Sequence, residues 1–108
     1  MIDRIDRRIL DILQHDATLP VAEIARKVGL STTPCWRRIQ KLEEEGVIEK
    51  RVALLDQKKV NAKVTVFVSV TTNRHEGDWL ERFAAAVDEF PEVVEFYRMS
   101  GQIDYLLR

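Results

Sequence analysis

Two short apolar-periodic segments hinged at a single glycine constrain this chain more than any other feature. Val21, Ile24, Ala25 and Val28 recur at helical spacing and stop at Gly29, a residue that takes the left-handed position after a helix without steric cost. Ser31 follows as an N-cap candidate, and Pro34 falls in the first turn, where no backbone N–H is missed. Cys35, Ile39, Leu42 and Gly46 then mark one face of a further helix. Upstream, Ile5, Ile9, Ile12 and Leu13 predict a helix over residues 3–16, with Asp3 and Asp6 where acids suit its dipole and Asp16 to Pro20 breaking it. Helix, glycine turn and helix make a helix-turn-helix pattern. Beyond Gly46, the β-prone run from Val47 to Leu55, interrupted by the charged tip Glu49-Lys50-Arg51, predicts a wing.

The rest of the chain follows a different rule. Residues 56–63, with two adjacent lysines and an asparagine, keep neither periodicity and read as a linker, with a module boundary between residues 60 and 61. Val64, Val66, Val68 and Val70 alternate with Thr65, Phe67, Ser69 and Thr71, as a strand with one apolar face does. Trp79, Leu80, Phe83, Val87 and Phe90 predict a helix that Pro91 stops. Val93 to Met99 is a second strand, Ser100-Gly101-Gln102 a tight turn, and Ile103 to Leu107 a third strand. The β-α-β-β order is the opening of a ferredoxin-like β-α-β-β-α-β arrangement, in which strands one and three are central. The predicted fold class is α+β, with a winged helix-turn-helix over residues 1–60 and a partial ferredoxin-like domain over 61–108. The second domain is expected to be truncated, lacking a further helix and an edge strand.

Composition narrows the function. Of the 108 residues 45% are hydrophobic and 32% charged, as in globular proteins, and no apolar run approaches the roughly 18 residues of a membrane span. One cysteine excludes an internal disulfide, and the opening MIDRIDRR has no apolar segment of a signal peptide, so a cytoplasmic location is expected. The net charge of −1 is uninformative until it is divided. Residues 1–60 hold twelve Lys/Arg against ten Asp/Glu, residues 61–108 five against eight, and the stretch from Ala25 to Leu42 has five cations and no acid.

That basic stretch contains the third helix. Steps of 100° per residue place Thr33, Arg37, Gln40 and Lys41 opposite the apolar line of Cys35, Ile39 and Leu42. Arg37 and Lys41 repel each other on an isolated helix and become favourable beside a polyanion. Arginine can fork onto guanine and glutamine onto adenine, and threonine can touch phosphate or the thymine methyl. All three reach bases from the N-terminal half of a recognition helix. The expected DNA-binding set is Ser31, Thr32, Thr33, Pro34, Trp36, Arg37, Arg38, Gln40 and Lys41. Within it Arg38 is read as a phosphate contact and Trp36 as either core packing or a backbone contact. A solvated charged face is the plain alternative. Cys35, close to a helix start, could be a redox thiol, but it lies on the apolar line and reads as a small buried hydrophobe. His15 and His75 lack ligand neighbours at a metal spacing, and no nucleophile triad, P-loop or dinucleotide motif is present. No metal, cofactor or enzymatic activity is expected.

Three runs together resemble the Lrp/AsnC regulators of bacteria and archaea. They are Ile5-Asp6-Arg7-Arg8-Ile9-Leu10, the stretch from Val28 through Ile39 with Leu42-Glu43 and Gly46-Val47-Ile48, and Ser100 to Leu107. The resemblance covers essentially the whole chain. It implies an N-terminal domain that binds double-stranded DNA, and a ferredoxin-like domain that pairs subunits through its sheet, builds larger rings and binds a small amino acid near the turn before its third strand. It assigns Gly101, Asp104 and Tyr105 to that turn, where a glycine can open N–H groups to a carboxylate and an aspartate can pair with an ammonium group. Gln102 stands where the family often has an acid. Gly101 as a positive-φ turn and Asp104 as a turn cap are the structural alternatives. The leading expectation is a sequence-specific, homo-oligomeric transcription regulator. The competing one is a metabolite- or partner-binding oligomerisation module with only non-specific DNA affinity.

Overall fold

The computed structural model describes residues 1–108, which divide into two compact units, Met1–Leu54 and Leu55–Arg108.

The first unit holds α1 (Arg4–His15), α2 (Val21–Val28) and α3 (Thr32–Glu44). A reciprocal capping box starts α1. The Asp3 carboxylate accepts the Asp6 N–H at 2.8 Å, and the Asp6 carboxylate accepts the Asp3 N–H at 3.2 Å. Pro20 opens α2 by accepting from the N–H groups of Glu23 and Ile24. Gly29 closes it at φ 76°, and the Leu30 N–H then returns to the Ala25 carbonyl at 2.9 Å. Ser31 occupies the N-cap of α3 in extended conformation without a side-chain bond, and Gly46, at φ 75°, follows the helix end. The buried residues are those of the predicted apolar lines: Ile9 from α1, Ile24, Ala25 and Val28 from α2, and Cys35, Ile39 and Leu42 from α3. Burial of each larger aliphatic contributes about 1.5–3 kcal/mol, which fixes the angle at which α3 is presented.

The predicted wing strands do not form: residues 47–55 contain no strand. Two runs this short would make a marginal hairpin. The segment is tied to α3 in another way: the Arg51 side chain donates to Glu43 at 2.8 Å, and the backbone N–H of Ile48 donates to the Leu42 carbonyl at 3.1 Å. The units divide between Leu54 and Leu55, ahead of the expected 60/61 boundary. The segment read as a linker folds on itself: Asp56 accepts from the N–H groups of Lys59 and Val60, and Gln57 donates to the Ala62 carbonyl. Asn61 turns the chain at φ 64°.

The second unit comprises β1 (Val68–Val70), α4 (Trp79–Asp88), β2 (Phe96–Arg98) and β3 (Tyr105–Leu107). The sheet order is β1-β3-β2 with both pairings antiparallel, so β1 and β3 are neighbours as the ferredoxin-like order requires. In register, Val70, Tyr105 and Arg98 align, and so do Val68, Leu107 and Phe96, which puts all six on one face. Trp79 and Phe83 of α4 cover that face. Phe83 lies 5.1 Å from Tyr105 and 5.7 Å from Phe96 between ring centroids, and Trp79 stacks on Phe83 at 4.9 Å. The first strand is shorter than its valine alternation predicts. Pairing with β3 reaches only Val68–Val70, and Val64 and Val66 stand 80% and 60% exposed.

Candidate nucleic-acid interface

The core contacts of α3 use one face and leave the other to solvent. Ser31, Thr32, Thr33, Pro34, Trp36, Arg37 and Lys41 are exposed, and Gln40 is half-buried. They form a continuous surface from the helix entry through its third turn. Trp36, expected either in the core or on the surface, is 49% exposed. Arg37 makes no hydrogen bond or ion pair within the protein, so its guanidinium is free to meet a ligand. Lys41 has a loose exposed partner, Glu45, at 3.8 Å. A surface pair of this kind contributes little and exchanges readily for a phosphate.

Arg38 does something different from what the sequence suggested. Its Nη1 donates to Asp3 at 2.6 Å and to Asp6 at 3.0 Å, so the guanidinium grips both carboxylates of the α1 capping box. Asp6 is the one buried charged residue, and Arg38 is what neutralises it. The hydrogen bond from Arg38 holds the Asp3 carboxyl below the usual carboxylate range, and the two acids raise the Arg38 guanidinium further. The expected phosphate contact is thus committed to joining α1 and α3. The Asp3-to-Asp6 spacing is a visible capping signal, whereas its arginine lies more than thirty residues away in sequence and becomes its neighbour only through packing of the core.

Cys35 is fully buried, and burial pushes its thiol pKa up, the opposite of what a reactive thiolate needs. No group of three or more His, Cys, Asp or Glu side chains converges to hold a metal ion. No helix is long and apolar enough to cross a membrane.

In the second unit, Gly101 sits at φ 104°, with open space on the side where a Cβ would project. The neighbouring residues hold the turn. Asp104 accepts the Thr72 N–H on its carboxylate at 2.8 Å, its own N–H donates to the Val70 carbonyl, and its carbonyl accepts the Met99 N–H. It therefore ties together the ends of β1 and β2. Tyr105 is 4% exposed, its ring enclosed by Trp79, Phe83 and Phe96. Of the three residues expected at an effector site, Gly101 is open to solvent while Asp104 and Tyr105 are engaged in holding the turn.

Residues 2–49 match the family model for winged helix-turn-helix DNA-binding domains, and residues 65–108 match that of the Lrp/AsnC ligand binding domain. The glutamate uptake regulatory protein of Zymomonas mobilis is 53% identical over 107 residues, covering 99% of this chain and 65% of that protein. The chain thus spans somewhat less than two thirds of that relative's length. Among solved structures, an AsnC family transcriptional regulator from Agrobacterium tumefaciens aligns with TM-score 0.88 at 71% identity, over 97% of this chain and 69% of the other. A transcriptional regulator from Neisseria meningitidis in complex with L-methionine aligns with TM-score 0.87 at 37% identity, over 99% and 69%. Taken with the helix-turn-helix core and the β1-β3-β2 sheet, these similarities place the chain in the Lrp/AsnC family of transcriptional regulators.

Proposed function

We propose that the chain is a sequence-specific, DNA-binding transcription regulator that responds to a small amino acid. The observation that carries this reading is the solvent face of α3, where an unpartnered Arg37 stands with Thr33, Gln40 and Lys41 on a helix whose opposite side is locked in the core. Such a helix enters the major groove N-terminus first. Arg37 is the base reader, Gln40 a second, and Ser31, Thr32, Thr33 and Lys41 contact the backbone at the groove edge. Pro34 stiffens the helix entry, and Trp36 offers its exposed ring to the sugar-phosphate rail. Arg38 serves by holding α3 against α1.

The amino-acid response rests on the second unit. A similar regulator of known structure carries L-methionine, and the turn at Gly101 presents open backbone in this chain. In the proposal the Gly101 turn receives the ligand, with Asp104 and Tyr105 fixing its position from the sheet and aromatic cluster. Self-association is part of the same reading. Val64, Val66, Phe90 and Val94 are all at least 60% exposed, more apolar surface than α4 covers, and a second copy would shield it. A two-fold dimer would set recognition helices about 34 Å apart, which calls for a pseudo-palindromic site. Its place of action is then the cytoplasm, where the DNA is.

The test is selection of bound duplexes from a random pool, followed by titration of the enriched site with and without excess competitor DNA, alone and with each of the twenty amino acids. Enrichment of one motif that resists competitor, with affinity altered by an amino acid, is the expected result. Binding that competitor abolishes for every sequence would instead leave a metabolite- or partner-binding module with non-specific DNA affinity.

A further inference from the structure

A second cationic surface lies off the recognition face. Arg4, Arg7 and Arg8 project from the first two turns of α1, and Lys27 from the last turn of α2, and all four are exposed. With Asp11 and Ile12 they line one open cavity of about 440 Å³, and Arg4 and Arg8 also border a second of about 540 Å³. None of the four has a carboxylate partner, although the chain contains more acids than bases and seven other cations, counting His15, are in ion pairs. The acids on the two rims have other partners: Asp11 lies 3.8 Å from His15, and Asp3 accepts from the Arg38 guanidinium at 2.6 Å. Arg8 fixes the cluster in place by donating to the Lys27 carbonyl at 2.6 Å, which joins α1 to the end of α2. On one helix face Arg4 repels both Arg7 and Arg8 at i, i+3 and i, i+4, an arrangement that an anion would relieve.

We propose that Arg4, Arg7 and Lys27 bind phosphates of the same duplex that α3 enters, on the strand flanking the groove, with Arg8 as the residue that positions them. This rests on the functional reading above. The position supports it: Ser31 at the entry of α3 comes four positions after Lys27, and an extended chain of that length spans at most about 14 Å. The major groove is about 12 Å wide, so a patch that close to the helix entry is within reach of a bordering phosphate rail. In this proposal the patch meets the phosphate rail outside the groove and not the base edges inside it, so its contribution is to affinity and not to sequence choice.

The experiment compares the full chain with the variant Arg4→Ala/Arg7→Ala/Lys27→Ala, leaving Arg8 and its carbonyl bond intact. Fluorescence anisotropy on the enriched duplex and on a scrambled one, across a salt series, gives the slope of log affinity against log salt. Each lost phosphate contact flattens that slope by about 0.9. The expected result is a flattening by about 2 to 3 on both duplexes, an unchanged ratio between them, an unchanged melting temperature, and restoration of the slope in Arg4→Lys/Arg7→Lys with Lys27 retained. A parent that binds tightly and a variant with the same slope would overturn this proposal alone. A parent that binds no duplex would overturn the functional reading and this proposal together.

Discussion

Replacing Arg38 with alanine separates a residue that holds the recognition helix from one that touches DNA. The substitution deletes two charge-assisted hydrogen bonds, at 2.6 Å to Asp3 and 3.0 Å to Asp6, and leaves the Asp6 carboxylate, whose side chain is 13% exposed, without its counter-charge. Bonds to charged groups contribute about 1.5–3 kcal/mol when well shielded. Solvent reaches 32% of the Arg38 side chain and screens the pair, which brings the expected loss to about 1–2 kcal/mol. In a unit of this size that lowers the melting temperature by roughly 5–15 °C. Arg37→Ala is the companion, since Arg37 has no partner to lose. Its unfolding free energy should stay within about 0.5 kcal/mol of the parent's, as for surface substitutions, while specific binding falls by about 1–3 kcal/mol, or roughly 5- to 150-fold, with base preference relaxed at one position per half-site. The assay is thermal unfolding by circular dichroism paired with anisotropy across a salt series. Arg38→Ala should melt early with the parental salt slope. Should it melt like the parent while its slope flattens by about 0.9, Arg38 is a phosphate contact and the reasoning from its carboxylate partners is refuted.

Three further outcomes are expected. The stabilisation that Arg38 gives Asp3, and that the Tyr97 hydroxyl and then Arg108 give Glu95, belongs to carboxylates whose pKa is lowered on folding. It is therefore complete above their ordinary values of 3.8 and 4.5 and is lost as pH falls through the lowered ones, so melting temperature should drop steeply below about pH 4, and less steeply in Asp3→Asn; equal pH profiles would contradict this. Cys35, buried with its thiol pKa raised, should resist a maleimide at neutral pH until denaturant unfolds the first unit, and rapid labelling of the native chain would show that α3 opens. A Cβ at Gly101 meets no atom within 4 Å, but Gly101→Ala must hold φ near 104°, so a loss of about 1–3 kcal/mol from backbone strain alone is expected in chemical unfolding; parental stability would mean the turn can relax.

Periodicity and punctuation alone were enough to predict the helices. Apolar spacing placed α1, α2 and α3 to within a residue or two, because a helix that buries one face must repeat at 3.6, and Gly29 and Pro20 act locally wherever they occur. The same local rules put Arg37 on the solvent face. Strand extents were less legible. The valine alternation from 64 to 70 states which side is apolar but not how far a partner reaches, and pairing with β3 stops at Val68. The strands expected in the wing are absent for a related reason, since β-prone residues make strands only where a ladder forms, and none forms over residues 47–55. Tertiary structure alone decided what the polar side chains do. In one dimension Arg38, Asp104 and Tyr105 show only that they could meet a ligand, not which partners they hold within the fold. In three, Arg38 meets Asp3 and Asp6, Asp104 meets the Thr72 amide, and Tyr105 enters an aromatic cluster. A charge or hydroxyl takes whichever partner the packed core brings within about 3 Å, and that partner is set by contacts distant in sequence that no local pattern encodes.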